Sequence, residues 1–482
     1  PLMESLYQRR KATSNRRSNE RQKAQANTVA PTVHGELVLI NQGKIIQALN
    51  RFNGEEIWQF RNDSNRSIVN ASEAALDLNA IAVEGSSLVT YTGHAHARAR
   101  SNPSNIVCLD TQTGAFKWWV NLELLNPSET FEGLFPIGAP LIKEGTVYVL
   151  ARKVSRQYLA SCFVVALELN SGVLKWSSYL GSSGSLRNRS AWPASLLTYD
   201  NGTLFIASPV GVIASLSATT GQINWLHRSE VPVSQGTSIT GMVPWNMAQP
   251  IIAGDRIIAL SPDRNWVFEF DRSSGDLIQT KGALVSSSLA EPQYLLANDD
   301  LLYSVGKNVR AFPIDDYNKP LWEYPPRGPF IDNPVVLTGR VVLADNALVI
   351  PTSAGIAILD PTTGDEIQLI DHALNGHPLV VDSQLLIATD DAVHSYLSDA
   401  QAELLLRRSL ARSPDNPKPA IMLVQLGYRT NRLTLMEEAT ALALSAIAIA
   451  DLYNERLSDQ AQDQLTTVLL EIAAGHALNT GE

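Results

Sequence analysis

The chain has 482 residues, 45% of them hydrophobic and 18% charged, with a formal net charge of −10. That is an ordinary composition for a chain with a large core, and its acidic balance argues against nucleic acid as the main partner. Two cysteines, Cys108 and Cys162, leave no disulfide framework and no thiolate metal cluster, and no apolar run is expected to approach the roughly 20 residues that span a bilayer.

Residues 1–31 stand apart. They carry Arg9, Arg10, Lys11, Arg16, Arg17, Arg21 and Lys23 against Glu4 and Glu20, and their apolar residues are sparse. This reads as a basic arm or linker; contact with a membrane surface or an acidic partner is the sharper alternative. The first residue is Pro, so the chain reads as processed, trimmed or a fragment.

From Thr32 short alternating strands begin, at Leu37 to Ile40 and Ile45 to Leu49, and an eleven-residue pattern recurs. The copies are ALNRFNGEEIW from Ala48, CLDTQTGAFKW from Cys108, ALELNSGVLKW from Ala166, SLSATTGQINW from Ser215 and EFDRSSGDLIQ from Glu269. A degraded copy, AFPIDDYNKPLW, starts at Ala311 with Asn318 in the glycine place, and ILDPTTGDEIQ starts at Ile358. Each reads as strand, tight turn, strand. Gly54, Gly114, Gly172, Gly221, Gly275 and Gly364 supply the left-handed backbone of the turn, a region Asn318 tolerates better than most residues. Trp58, Trp118, Trp176, Trp225 and Trp322 follow at constant spacing. In the second copy, strict alternation puts Phe116 and Trp118 on one face and Lys117 on the other.

The glycines recur every 45 to 60 residues or so, the period of a four-stranded propeller blade. Thr146 to Leu150, Leu204 to Ala207, Arg256 to Leu260, Leu301 to Val305 and Ala347 to Pro351 precede their motifs as second strands should. Pro378 to Val381, Gln384 to Thr389 and Ala392 to Leu397 give three more strands without the hairpin. The expectation is an all-β propeller over 32–397 with eight four-stranded blades, seven being the alternative. Its last blade takes a missing strand from the N-terminal side, with Asn27 to Val33, or residues lost upstream of Pro1, as candidates.

The repeat A-L-D-x-x-T-G-x-x-x-W resembles the PQQ-like β-propeller repeat. It occurs in quinoprotein alcohol dehydrogenases and in non-enzymatic outer-membrane β-barrel assembly lipoproteins of BamB type. The resemblance implies that each Trp docks between neighbouring blades, as a structural residue. It also implies a bacterial envelope, periplasmic or secreted setting. The dehydrogenases hold PQQ and Ca²⁺ in a central funnel, with an adjacent Cys-Cys disulfide, a stacked Trp, acidic and Asn ligands and a catalytic Asp. Here Cys108 and Cys162 are far apart, and each reads as a small buried residue; Asp263 and the Trp245-Asn246 pair cannot be placed in a funnel from sequence.

Inside the second unit, GHAHARAR (Gly93 to Arg100) places His94, His96, Arg98 and Arg100 on one face of an extended segment. A solvated ribbon is one reading and a contact for an anion or partner the other; a metal site lacks a third ligand. Gly181 to Arg189 (GSSGSLRNR) is glycine-rich but has no P-loop or dinucleotide-binding context, and is expected to be a loop. His34, His227, His372, His377 and His394 are scattered.

From Ser398 to Glu482 Ala and Leu dominate with helical spacing. Ala400 to Pro417 carries an apolar stripe of Leu404, Leu405, Leu406, Leu410 and Ala411, then a Pro stop. This resembles the second helix of a tetratricopeptide (TPR) repeat with its P-x-N-P turn. Leu426-Gly427-Tyr428 resembles part of the next first helix, and Leu435 to Ala450 and Ser458 to Ala474 read as further helices. Such a segment either packs as a helical pair or presents a peptide-binding groove. The function expected is a non-catalytic protein-binding scaffold, in envelope protein assembly or as the interaction module of a larger protein. No catalytic, cofactor or metal residues are assigned; a PQQ- and Ca²⁺-dependent dehydrogenase is the alternative.

Overall fold

Tight glycine turns and strands of five or six residues build antiparallel meanders. In a computed structural model of the chain they are described over residues 29–480, except 44, 62–79, 93–104, 127–130, 155–158, 184–195, 230–247, 262–265, 283–292, 327–334, 345, 373, 375, 383, 390–391 and 454. There are eight blades of a β-propeller ring: one (32–61), two (82–120), three (135–183), four (198–228), five (251–282), six (294–324), seven (342–370) and eight (377–397). Strands follow one another in sequence order within every sheet. Blades one to seven have four strands each, and three strands of blade eight lie among the described residues.

Second and third strands are buried along most of their length, as in Leu37–Asn41 of blade one, Ala160–Glu168 of blade three and Gln384–Ala388 of blade eight. A neighbouring blade covers each face, so these strands carry near-continuous apolar runs instead of alternation. The expected second strands fall where the spacing put them: Thr146–Val154, Thr203–Ala207, Arg256–Leu260, Leu301–Val305 and Ala347–Pro351. Ala30, Ala80, Ala139, Leu196, Ala248, Tyr294 and Val341, each within the first strand of its blade or up to three residues before it, belong to one apolar cluster.

Two expectations about the strands change. Thr32 and Val33 pair with Leu39 and Val38, so they belong to the first strand of blade one and are not donated to blade eight. In blade two the register shifts between Cys108 and Leu109: Leu109 faces Phe116, Cys108 faces Trp118, and Lys117 between them has no opposite residue. This bulge breaks the alternation. Trp118 is 7% exposed and Phe116 52%, so they lie on opposite faces.

After blade eight come four helices, α1 (Asp399–Arg412), α2 (Lys418–Arg429), α3 (Leu433–Asp451) and α4 (Glu455–Thr480). Ala420, Leu423, Val424, Leu435, Ala439, Ala443, Leu465 and Val468 form their shared core. A Cβ on Gly427 would lie 2.8 Å from Met436 Cγ and 2.9 Å from its backbone nitrogen, so that glycine permits the close approach of α2 to α3. In α1, Leu406 and Leu410 pack on this core while Leu404 is half-exposed, so the expected apolar stripe is narrower. One apolar run does approach membrane-spanning length: α3 is long and apolar enough by composition. Its Ala439, Ala443, Ala446, Ile447 and Ala450 are nevertheless buried among the helices.

Candidate functional site: the blade seams and the surfaces they leave free

The repeated residues meet at the seams. In four copies, those of Asn50, Asp110, Asp271 and Asp360, the first residue of the turn caps it with two backbone bonds. Asp110 Oδ1 accepts from the backbone N–H of Gln112 and Thr113, both at 3.1 Å; Asp271 Oδ1 accepts from Ser273 and Ser274 at 3.0 and 2.8 Å. Asn50 and Asp360 make the same bonds. Asp271 is held down to about 2, first by the Ser273 hydroxyl and then by backbone N–H groups of the turn. These carboxylates are turn caps. The turn glycine then donates to the backbone carbonyl of the capping residue, at 2.8 Å for Gly54 and 2.9 Å for Gly114. Gly54, Gly114, Gly172, Gly221, Gly275 and Gly364 all have φ between +68° and +76°.

Each tryptophan seats on the turn of the next blade. Trp58 Nε1 donates to Thr111 O at 2.9 Å, Trp118 to Leu169 O at 2.8 Å, Trp176 to Ala218 O at 3.1 Å and Trp225 to Arg272 O at 3.0 Å. Trp322 reaches Pro361 O and Thr362 O. The indole lies flat against the glycine: a Cβ on Gly114 would be 2.5 Å from Trp58, and one on Gly172 would be 2.8 Å from Trp118. A small residue stands across the hairpin from the indole: Ala48, Cys108, Ala166, Ser215 or Ala311. Cys108 therefore occupies a small-residue place, and burial pushes its thiol up to about 11. Cys162, in the third strand of blade three, is also buried, with its thiol pushed up to about 12.

The seam between blades five and six is built differently, and the sequence reading passed over it. Gln279 takes the Trp place, opposite Glu269. Glu269 is 1% exposed and is bonded by Gln279, by Arg256 at 2.6 Å and, from blade six, by the Tyr317 hydroxyl at 3.0 Å. A second nitrogen of Arg256 reaches Asp315 of blade six. Burial, then the charge of Glu269, pushes the Tyr317 hydroxyl well above its usual range. A polar brace thus replaces indole on glycine, and Asn318 is not among the residues of positive φ. The signal was present: Gln279, Glu269 and Tyr317 all depart from the repeat in adjacent copies.

His94, His96, Arg98, Arg100, Trp245, Asn246, Asp263 and most of the 181–189 loop lie outside the described residues. His377 is buried, its Nδ1 accepting from Arg340 N–H at 3.2 Å across the seam between blades seven and eight. Apolar side chains exposed on fourth strands include Ile57, Phe116, Trp119, Tyr179, Ile278 and Ile367. On the helices Leu433, Leu444 and Leu470 are exposed, as are Leu452 and Tyr453 in the turn between α3 and α4. Arg407 there binds Glu438 through two nitrogens at 2.7 and 2.8 Å, with Glu403 beside it.

The sequence matches the family described as outer membrane protein assembly factor BamB over residues 41–192 and 164–368. The chain belongs to this family. Among solved structures, BamB from Moraxella catarrhalis is similar at 18% identity and a TM-score of 0.52, covering 76% of this chain and 95% of that one. The computationally designed Ika8 protein is similar at 14% identity and a TM-score of 0.50, covering 77% of this chain and 97% of that one. Quinohemoprotein alcohol dehydrogenase ADHIIG from Pseudomonas putida HK5 is similar at 13% identity and a TM-score of 0.50, covering 74% of this chain and 68% of that one. Such identities reflect a shared fold. The comparison with curated proteins gives no match.

Proposed function

We propose that this BamB-family propeller is a non-catalytic scaffold that binds protein partners during envelope protein assembly. The observation that carries this reading is the family match across most of the ring. The repeated residues also support it: their polar atoms are spent on capping turns and closing seams. What is left for recognition is surface, namely the fourth-strand rim and the TPR-like helical face with its exposed Leu433, Leu444 and Leu470. The alternative, a PQQ- and Ca²⁺-dependent dehydrogenase, has less support: Cys108 and Cys162 are buried in different blades and so are not an adjacent pair, and no group of three or more His, Cys, Asp or Glu side chains gathers among the described residues. A bacterial envelope or periplasmic setting belongs to the same proposal.

The test is capture of outer-membrane β-barrel precursors and assembly proteins from bacterial envelope extracts. The full chain is compared with a chain ending at Leu397. Specific retention by the full chain supports the scaffold, and loss on truncation assigns the contact to the helices. Saturable PQQ binding with Ca²⁺ and alcohol-dependent dye reduction would overturn it.

A further inference from the structure

The joint between blades seven and eight has no indole fastener. Blade seven carries Gln368 in the Trp place, opposite Ile358, and Gln368 is exposed. Blade eight passes from its third strand, Val393–Leu397, through Ser398 into α1 without a glycine hairpin, so it offers no turn for an indole to seat on. Blade five also has Gln in the Trp place, but there the Glu269 brace takes over. At the start of blades seven and eight the joint is tight, since a Cβ on Gly339 would run into the backbone carbonyl of Gly376. Beyond that point something other than indole on glycine must hold the two blades together.

Histidines gather at this joint. His377 of blade eight accepts from Arg340 N–H, ahead of the first strand of blade seven. His372 follows the fourth strand of blade seven, Glu366–Ile370, and His394 lies in the third strand of blade eight. The rings of His372 and His394 meet edge to face, with centroids 5.5 Å apart and planes at 88°. His372 is exposed and His394 half-buried. His227, by contrast, lies among the rings of Phe268 and Phe270. When two imidazoles share a tetrahedral Zn²⁺, each places a nitrogen about 2 Å from the ion, which leaves the ring centres about 5 Å apart. The pair is therefore spaced for a shared ion with both backbone segments where they are.

We propose that His372 and His394 form a two-histidine site for a divalent ion of the zinc class, which prefers imidazole to carboxylate oxygen. Because the ligands come from different blades, the ion clips blade seven to blade eight where the indole is missing. Water completes the coordination, since no group of three or more ligating side chains gathers among the described residues. The proposal does not depend on the scaffold function.

Zn²⁺ alone, added to the chelator-treated full chain, is the probe. Calorimetry should show one ion bound per chain. His372→Ala and His394→Gln should each weaken uptake more than about tenfold, because losing even a group that only supports a zinc ligand costs that much. His94→Ala with His96→Ala should leave uptake unchanged. With Zn²⁺ about ten times above its Kd, the amides of Val393–Leu397 should exchange about tenfold slower than without the ion. Neither His372→Ala nor His394→Gln should show that slowing. No uptake by the unmodified chain, uptake that survives both substitutions, or uptake without slower exchange in Val393–Leu397 overturns the proposal. Loss of uptake in the His94 and His96 variant, with His372→Ala unaffected, also overturns it and assigns the ion to that segment.

Discussion

Replacing Gly114 by Ala isolates the energy of one seam. Two costs arise from the geometry. Gly114 has φ +68°, where an L-residue is strained by about 1–2 kcal/mol. The new methyl would also lie 2.5 Å from Trp58, so the indole must leave its seat. Trp58 is 8% exposed, and displacing it forfeits about 2–3 kcal/mol of buried area. Its bond to Thr111 O adds about 1 kcal/mol. The expected total is about 4–6 kcal/mol. Gly85 is the control: φ is +57° and nothing lies within 4 Å of its Cβ position, so Gly85→Ala carries the strain alone. Urea unfolding followed by far-UV circular dichroism should show Gly114→Ala as the more destabilising by about 3 kcal/mol. In a Trp58→Ala background that excess should vanish, since the methyl then has nothing to displace. Equal costs for the two glycine variants, or an excess that persists without the indole, would refute the seat.

At the seam of blades five and six, Glu269→Ala strands Arg256 and Tyr317 and should cost about 3–5 kcal/mol in the same unfolding assay, with Glu269→Gln costing less. Asp271 has a folded-state value of about 2, below the ordinary carboxylate near 4. Its contribution is therefore present above about pH 4 and lost as pH falls toward about 2. An acid titration of stability should accordingly be shallower over that window in Asp271→Asn. Cys108 and Cys162 are buried, with thiols raised to about 11 and 12, so a thiol reagent at pH 8 should label neither until denaturant is added.

The ring was legible because its fasteners are periodic. A turn glycine and an indole four residues later can be counted along a sequence, and blade order follows from the count. What escaped was cross-strand. The bulge at Lys117 depends on which residue of one strand faces which of the next, and that register reversed the face of Phe116. The Glu269 brace escaped because the fifth and sixth copies read as decay of the repeat when each was compared with the consensus alone. Their departures are complementary only across the seam. The membrane-spanning apolarity of α3, whose bounds were read to within two residues, was missed because two glutamates near its start, Glu437 and Glu438, broke the apolar run to the eye. The contact expected at His94, His96, Arg98 and Arg100 falls outside the described residues.

The indole-on-glycine seams all point the same way around the ring, each blade reaching forward to the next. A blade duplicated in tandem inherits both halves of that joint, so gene duplication can lengthen such a ring without inventing a contact. The Glu269–Arg256–Tyr317 joint is not interchangeable in this way. Its halves are found on blades five and six and match each other alone, so shuffling either blade would break it. A ring of near-identical parts thereby acquires a keyed position, one that fixes which blade stands beside which.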